Sequence, residues 1–404
     1  MEPVTVDGLM NPAIELLDSE HACRELGVLR ATLYSYVSRG RIRCVKRAGL
    51  KTRMYLAEDV RKVAAQSAAR RGHAPVAAGA LSWGEPVLDT ALTSVGPRGI
   101  FYRGENVLDL VARDTRFESV ADRLWGSEPD ERWPDRVPLL PVSSRLRLLP
   151  CLIEAVTVLG REPRVGEAPP QTRARGRQLV RTLAGSAVGS ATRGNIADHF
   201  APHLAPRAGS ARHERVRAAL DAALVLCLDH ELNASTFAAR VAASTGADLV
   251  HCVGAALFVF TGPRHGGASE RVEAFLDGLP ARPKDQRAAI EKRLSRGEAL
   301  PGFGHPLYPK GDPRAAPLLA LARSFDGEGR ADEVARLVAE SSGELPNLDF
   351  GLVALARALG APPETATLLF AIGRSAGWVA HVLEQRTSGA LLRPRARYVG
   401  VPPA

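Results

Sequence analysis

Gly302-Phe303-Gly304-His305-Pro306-Leu307-Tyr308-Pro309-Lys310-Gly311-Asp312-Pro313-Arg314 combines two kinds of backbone control with two chemically useful side chains. Gly302 and Gly304 let the chain pass close to a ligand, while Pro306, Pro309 and Pro313 stiffen the segment. His305 and Arg314 stand nine positions apart, so the loop is built to hold polar groups still. An isolated G-x-G-H also fits a surface loop with a chance histidine, and its meaning depends on what accompanies it.

Three further stretches accompany it. They are His230-Glu231-Leu232-Asn233-Ala234-Ser235-Thr236, Gly262-Pro263-Arg264-His265-Gly266-Gly267-Ala268 and Pro346-Asn347-Leu348-Asp349-Phe350. Together with Gly-Phe-Gly-His and Asp-Pro-Arg, and in the same order, they resemble the motifs of the citrate synthase family. The fold this resemblance implies is mainly α, a two-domain helical body. Its large domain would take residues 81–265 and 355–404, and its small domain residues 266–354.

Composition agrees with a helical, globular chain. At 404 residues it suits two or three domains, and 45% hydrophobic content supplies a sizeable core. Aromatic residues make up only 5%, which favours helices over strands. Only six of the 53 basic residues are lysine, so the basic balance is an arginine balance. Its distribution is uneven: residues 21–71 carry a net charge of +10, whereas residues 1–20 hold five acids and no base. That acidic start does not fit a signal peptide, and no apolar run approaches the roughly 20 residues of a membrane span. We expect a cytoplasmic protein without a membrane segment. Five scattered cysteines (23, 44, 151, 227 and 252) show no metal-ligand spacing, and neither disulfides nor a metal site is expected. His230-Glu231-Leu232-Asn233-Ala234 is not a zinc-protease motif, because Ala234 stands where the second histidine belongs.

The basic N-terminal region, residues 1–69, reads as a separate unit. Residues 19–28 and 29–40 suit two short helices closed by Gly27 and Gly40, and residues 42–45 and 53–56 suit two strands around a basic tip. This pattern resembles the winged helix-turn-helix of the MerR and excisionase families. The resemblance implies DNA as a partner, with Arg30, Thr32, Tyr34 and Ser35 approaching the groove. Arg39, Arg41, Lys46, Arg47 and Lys51 would neutralise phosphates. A basic face used for a protein contact is the alternative. Leu26, Val28, Leu33 and Val37 are its expected core. Residues 70–80, small and without periodicity, form a linker. Beyond it, a short β excursion within 88–107 precedes helices expected at 107–113, 117–125, 143–160, 174–186, 190–202, 212–227, 233–245, 248–258, 266–278, 284–295, 314–325, 329–342, 349–359 and 363–388.

Joining an acetyl thioester to an α-keto acid needs a base for a weakly acidic methyl proton, a donor for the enolate oxygen, and cations for carboxylates. By its match to the family's Pro-Asn-x-Asp, Asp349 would be the base. His265 stands before an expected helix start, where unpaired amides disfavour the imidazolium, and a neutral ring can donate to the thioester oxygen. His305 would protonate the ketone oxygen of the second substrate. The resemblance also supplies His230 and the planar forks of Arg314, Arg374 and Arg393 for the keto-acid carboxylates. In the family the last arginine usually crosses a dimer interface, which implies a homodimer. His251 and His381 read as packing or helix-face residues.

The implied activity is condensation of acetyl-CoA, or a close acyl-CoA, with oxaloacetate, as in the tricarboxylic acid cycle. No cofactor is held permanently; the acyl-CoA is a co-substrate. One departure stands out. Many family members carry basic residues just after the loop histidine, for the coenzyme phosphates, where this chain has Pro306 and Pro309. Lys310 and Arg264 are the nearest substitutes. The alternatives are a DNA-binding regulator whose body senses a keto acid or acyl-CoA without turnover, and an enzyme whose head docks protein.

Overall fold

A computed structural model describes residues 16–38, 42–46, 53–61, 63, 88–96, 98–141, 147–205, 210–327, 329–394 and 400. The chain divides into two units, Met1–Asp89 and Thr90–Ala404.

In the first unit, strand β1 (Leu16–Leu17) leads into helices α1 (Ser19–Leu26) and α2 (Arg30–Ser38), then β2 (Cys44–Lys46) and β3 (Arg53–Leu56). The sheet is antiparallel in the order β1-β3-β2. Asp18 caps α1 by accepting the N–H groups of Glu20 and His21, and Gly27 ends it at φ 62°. Leu26 and Leu33 lie in a core with Ala22, Ile42, Tyr55, Val60 and Val63; Val28 and Val37 are partly buried against it. Arg30, Thr32 and Tyr34 are exposed and Ser35 is half-buried on α2. Arg39, Arg41, Arg47 and Lys51, the side chain of Lys46, and the 70–80 linker lie outside the described residues. Part of the local positive charge is already spent, because Arg24, Arg43 and Arg61 pair with Glu20, Asp59 and Glu25.

The second unit opens with an antiparallel sheet of β4 (Thr93–Gly96), β5 (Gly99–Tyr102) and β6 (Glu105–Asn106). Helices α3 (Val107–Ala112) and α4 (Phe117–Trp125) follow, then β7 (Arg136–Val137), α5 (Leu148–Leu159) and α6 (Pro169–Val188). After β8 (Thr192–Arg193) come α7 (Ile196–Leu204), α8 (Ser210–Cys227), α9 (Ala234–Ser244), α10 (Leu249–Phe260) and α11 (Ala268–Asp277). The last are α12 (Pro283–Ser295), α13 (Ala315–Asp326), α14 (Arg330–Ser342), α15 (Leu348–Leu359) and α16 (Thr365–Ser388).

Three helix starts differ from expectation by five residues or more; the helix expected at 143–160 spans Leu148–Leu159, and the other two shifts have reasons in backbone chemistry. Helix α6 starts at Pro169 rather than 174, because proline at the first helical position lacks only an N–H that would be unpaired anyway. The helix expected at 190–202 starts instead at Ile196. Gly189 ends α6 in the left-handed region, Gly194 follows at φ 61°, and Thr192–Arg193 pairs with Arg136–Val137 as a small sheet.

Helix α16 is the axis of the unit, packed by α8, α9, α10, α6 and α4. Contrary to the expectation that no apolar run approaches a membrane span, its 24 residues are long and apolar enough to cross one, but nearly all of the apolar stretch is buried among other helices. Close approach to α8 depends on glycine. A Cβ at Gly377 would collide with the Leu228 carbonyl and lie 3.1 Å from Asp229 Oδ1, and one at Gly373 would lie 2.7 Å from the Leu224 carbonyl. Gly377→Ala should therefore cost about 1–3 kcal/mol of stability, as overpacking does. Thermal denaturation checks this, and an unchanged midpoint would contradict the packing described.

Candidate active site

The loop quoted first is fastened to the start of α15 by backbone pairing. Gly304 N–H donates to Leu345 O, Asn347 N–H donates to Gly302 O (both 2.9 Å), and Phe303 bridges Pro346. Asn347 then works in two directions. Its Oδ1 accepts the N–H groups of Asp349 and Phe350 as the cap of α15, and its Nδ2 donates to Gly304 O. Pro-Asn-x-Asp and Gly-Phe-Gly-His are thus parts of one folded piece. Gly302 and Gly304 adopt φ 87° and 71°, values open to glycine, and a Cβ at Gly302 would press on Val272 and Phe350.

Asp349 accepts a hydrogen bond from Ser269 Oγ at 2.7 Å, and burial pushes its carboxyl above the ordinary value, making it a stronger base than an exposed aspartate. His265 precedes α11. Burial, with the Arg374 charge second, lowers its pKa to about 3, so the ring is neutral at physiological pH. Helix-start amides were the expected cause; desolvation is the larger one.

His265 Nε2 and Asn233 Oδ1 each lie 2.7 Å from Ser235 Oγ, which receives Trp378 Nε1–H at 3.1 Å. Ser235 has one proton for two acceptors. Given to His265, it places the imidazole proton on Nδ1, where it can be donated to a ligand. Ser235→Ala should lower turnover about tenfold, the equivalent of one ordinary hydrogen bond. Steady-state kinetics beside a thermal midpoint check this, and an unaltered kcat would remove Ser235 from the account.

His230, His305 and Tyr308 form a ring cluster with centroid separations of 5.6, 5.6 and 4.8 Å. His230 Nε2 is 2.6 Å from the Tyr308 hydroxyl, whose pKa burial raises, so the phenol keeps its proton. Burial, then Arg314 and Arg374, holds His230 well below the usual histidine range; burial, then Arg314, lowers His305. His305 Nδ1 accepts the Leu307 N–H at 3.2 Å, so the neutral ring carries its proton on Nε2.

The two buried arginines differ. Arg314 is gripped by Asp312 through Nε at 2.9 Å and Nη2 at 2.8 Å, and Asp312 also accepts the Leu348 N–H. Burial opposes the Arg314 charge, but the Asp312 carboxylate outweighs it. Arg374 donates from Nε to Cys227 O at 2.7 Å and lies over the Phe370 ring, and burial lowers its pKa from the ordinary arginine value. No carboxylate contacts it among the described residues, which leaves its outer N–H groups for a ligand. The buried Cys227 thiol, pushed up to about 12 by burial, also feels Arg374, Arg314, Asp349 and Asp312, so all four charges lie within electrostatic reach of it.

Lys310 and Arg264 are exposed on the loops bearing His305 and His265, and Pro306 and Pro309 are exposed beside Lys310. Arg393 is exposed in the segment after α16 and makes no ion pair among the described residues. Ring contacts and shared electrostatic influence group His230, His265, His305, Asp349, Arg314 and Arg374, whereas Arg393, Lys310 and Arg264 are exposed side chains.

Sequence reasoning missed Ser235, Asp312, Tyr308 and Trp378, although the first three lie inside the quoted motifs. His381, expected as a packing or helix-face residue, is fully buried and faces Asp229 Oδ2 at 3.2 Å. His251 is exposed and its Nε2 meets the Gly160 carbonyl.

This helical body has the architecture of the citrate synthases. A citrate synthase of Thermoplasma acidophilum, solved with carboxymethyl coenzyme A and oxaloacetate, superposes with a TM-score of 0.67 at 24% identity, over 79% of this chain and 95% of that one. Residues 176–395 match the family model described as citrate synthase, C-terminal domain. A 2-methylcitrate synthase of Mycobacterium tuberculosis is 32% identical over 346 residues, 77% of this chain and 88% of that protein. The citrate synthase of Haloferax volcanii is 38% identical over 200 residues, 48% of this chain, and the match spans only about half (52%) of that relative's length. The chain belongs to the citrate synthase family.

Proposed function

We propose that the chain condenses an acyl-CoA, acetyl-CoA or the propionyl ester, with oxaloacetate, and releases free CoA by hydrolysis. The observation that carries this reading is the grouping of a half-buried carboxylate of raised basicity, neutral imidazoles and two buried guanidiniums. Asp349 takes a proton from the carbon beside the thioester carbonyl while His265 Nδ1–H donates to the carbonyl oxygen, so the electron pair enters an enol rather than a full enolate. That carbon attacks the ketone carbon of oxaloacetate, whose oxygen takes the His305 Nε2 proton. Water then cleaves the thioester, giving a tricarboxylate and the CoA thiol. Arg374, Arg314 and His230 hold the keto-acid carboxylates. Arg393 completes the cradle of a partner subunit in a homodimer, and Lys310 and Arg264 face the coenzyme phosphates. No resident cofactor takes part. This reading places the protein in the cytoplasm, feeding the tricarboxylic acid cycle or its methyl analogue.

A second reading is favoured by one specific observation. Exposed Pro306 and Pro309 leave Lys310 as the cation nearest to His305 in the loop sequence, while the N-terminal unit shows Arg30, Thr32 and Tyr34 on one helix. In this reading the N-terminal unit is a winged helix-turn-helix that binds DNA through those residues, Ser35, Arg39, Arg41, Lys46, Arg47 and Lys51. The body then senses the keto acid without turnover.

Thiol release from the purified full-length chain, mixed with oxaloacetate and either acetyl-CoA or propionyl-CoA, separates the two. Release that requires both substrates supports the enzyme. Saturable calorimetric binding of oxaloacetate with no thiol release supports the sensor.

A further inference from the structure

His230 sits in a turn that nothing in its own motif explains. The next residue, Glu231, adopts φ 50°, a left-handed conformation that costs a side-chain-bearing residue and persists only where its surroundings impose it. The surroundings are strands β4 and β5. Thr93 Oγ1 donates to Asp229 Oδ2 at 2.5 Å, and two residues further along the same strand Val95 N–H donates to Glu231 Oε1 at 3.0 Å. β4 is an edge strand, so the Val95 N–H points away from the sheet and finds its acceptor in Glu231.

Tyr102 stands directly opposite Thr93 in the β4–β5 register. Its hydroxyl lies 3.0 Å from Asp229 O and 3.1 Å from Val225 O, and accepts the Asp229 N–H at 3.1 Å. One cross-strand pair therefore fixes both the side chain and the backbone of Asp229. The opposite side is closed by α16, where His381 Nε2 meets Asp229 Oδ2 and glycine at 377 allows the helix to press on the Leu228 carbonyl. Asp229 and His381 are both fully buried.

We propose that β4 and β5 clamp the turn bearing His230, with Thr93, Tyr102 and Glu231 as positioning residues for the keto-acid half of the site. The two residues flanking His230 are held by alternate positions of one strand. The imidazole itself is left free of the clamp, with Tyr308 as its ring partner. The sheet, which contributes no side chain to the chemistry, sets where the His230 ring stands relative to Arg314 and Arg374.

The test uses the full-length protein with two pairs of variants. Thr93→Val removes the hydroxyl while keeping the shape, and Thr93→Ser restores it; Glu231→Ala removes the acceptor for Val95, and Glu231→Gln keeps one. The first readout is the 15N imidazole spectrum of ligand-free protein, with His230 assigned through His230→Asn. The expected result is a shifted or broadened His230 signal in Thr93→Val and Glu231→Ala, and a signal like the wild type in Thr93→Ser and Glu231→Gln. The second readout rests on the proposed condensation: KM for oxaloacetate should rise about tenfold, as for loss of one hydrogen bond, with kcat changed far less. Glu231 is only half-buried, so Glu231→Ala decides the matter if Thr93→Val fails to fold. An unmoved His230 signal in a folded Glu231→Ala variant would overturn the clamp. If the wild type binds no oxaloacetate, the condensation reading fails, but the spectrum still decides the clamp.

Discussion

Asp349→Asn is expected to lose turnover by about 100-fold to 10,000-fold, the usual cost of removing a positioned general base, while oxaloacetate binding stays nearly intact. The same variant should be more stable than the wild type at neutral pH. Burial, the largest influence on this carboxyl, raises its pKa above the ordinary value of 3.8, so the folded state holds the proton more tightly than the unfolded chain. Stability attached to this group is present below the unfolded value and lost as pH rises through the folded one. Asparagine escapes that loss and can still accept from Ser269. The gain in thermal midpoint should therefore be clear at pH 7 and vanish below pH 3.8. Equal turnover in the two proteins would remove Asp349 as the base, and a lower midpoint at pH 7 would contradict its raised pKa.

Arg314→Leu and Arg374→Leu should both abolish tight keto-acid binding, yet differ in what they do to the fold. Arg314 neutralises Asp312, which is itself buried, and removing one partner of such a pair costs about 3–5 kcal/mol because it strands the other charge. Asp312→Asn added to Arg314→Leu should recover much of the stability without recovering binding. Arg374 has no carboxylate in contact among the described residues, so Arg374→Leu should leave the thermal midpoint at or above that of the wild type. Calorimetry with oxaloacetate beside differential scanning calorimetry checks both halves. Equal destabilisation by the two single substitutions would show that the arginines are not distinguished as described.

How much of this was legible beforehand depended on distance along the chain. His305, Arg314 and Asp349 lie in short runs whose residue types suit one chemistry, and the helices around them announce themselves by apolar periodicity and glycine ends. The partners that tune these groups were less visible. Ser235 and Trp378 are 143 positions apart, and Asp229 and His381 are 152 apart, pairings that only the tertiary fold creates. Helix α16 was outlined correctly, but its depth in the core was not, because Arg374 and His381 interrupt an otherwise apolar run. The charge of residues 21–71 was legible as a total, but not the pairing of Arg24, Arg43 and Arg61 with carboxylates of the same unit. The left-handed Glu231 had no sequence signal at all, since glutamate is not a residue that favours that conformation.

Formation of a carbon-carbon bond is the central claim, and thiol release alone does not distinguish it from simple thioester hydrolysis. Mass spectrometry of the product from 13C-labelled acetyl-CoA and unlabelled oxaloacetate makes the distinction directly. The account predicts a tricarboxylate carrying the two labelled carbons, formed by the wild type and reduced at least about 100-fold in Asp349→Asn. Labelled acetate as the only labelled product, or no conversion of either substrate, would contradict it.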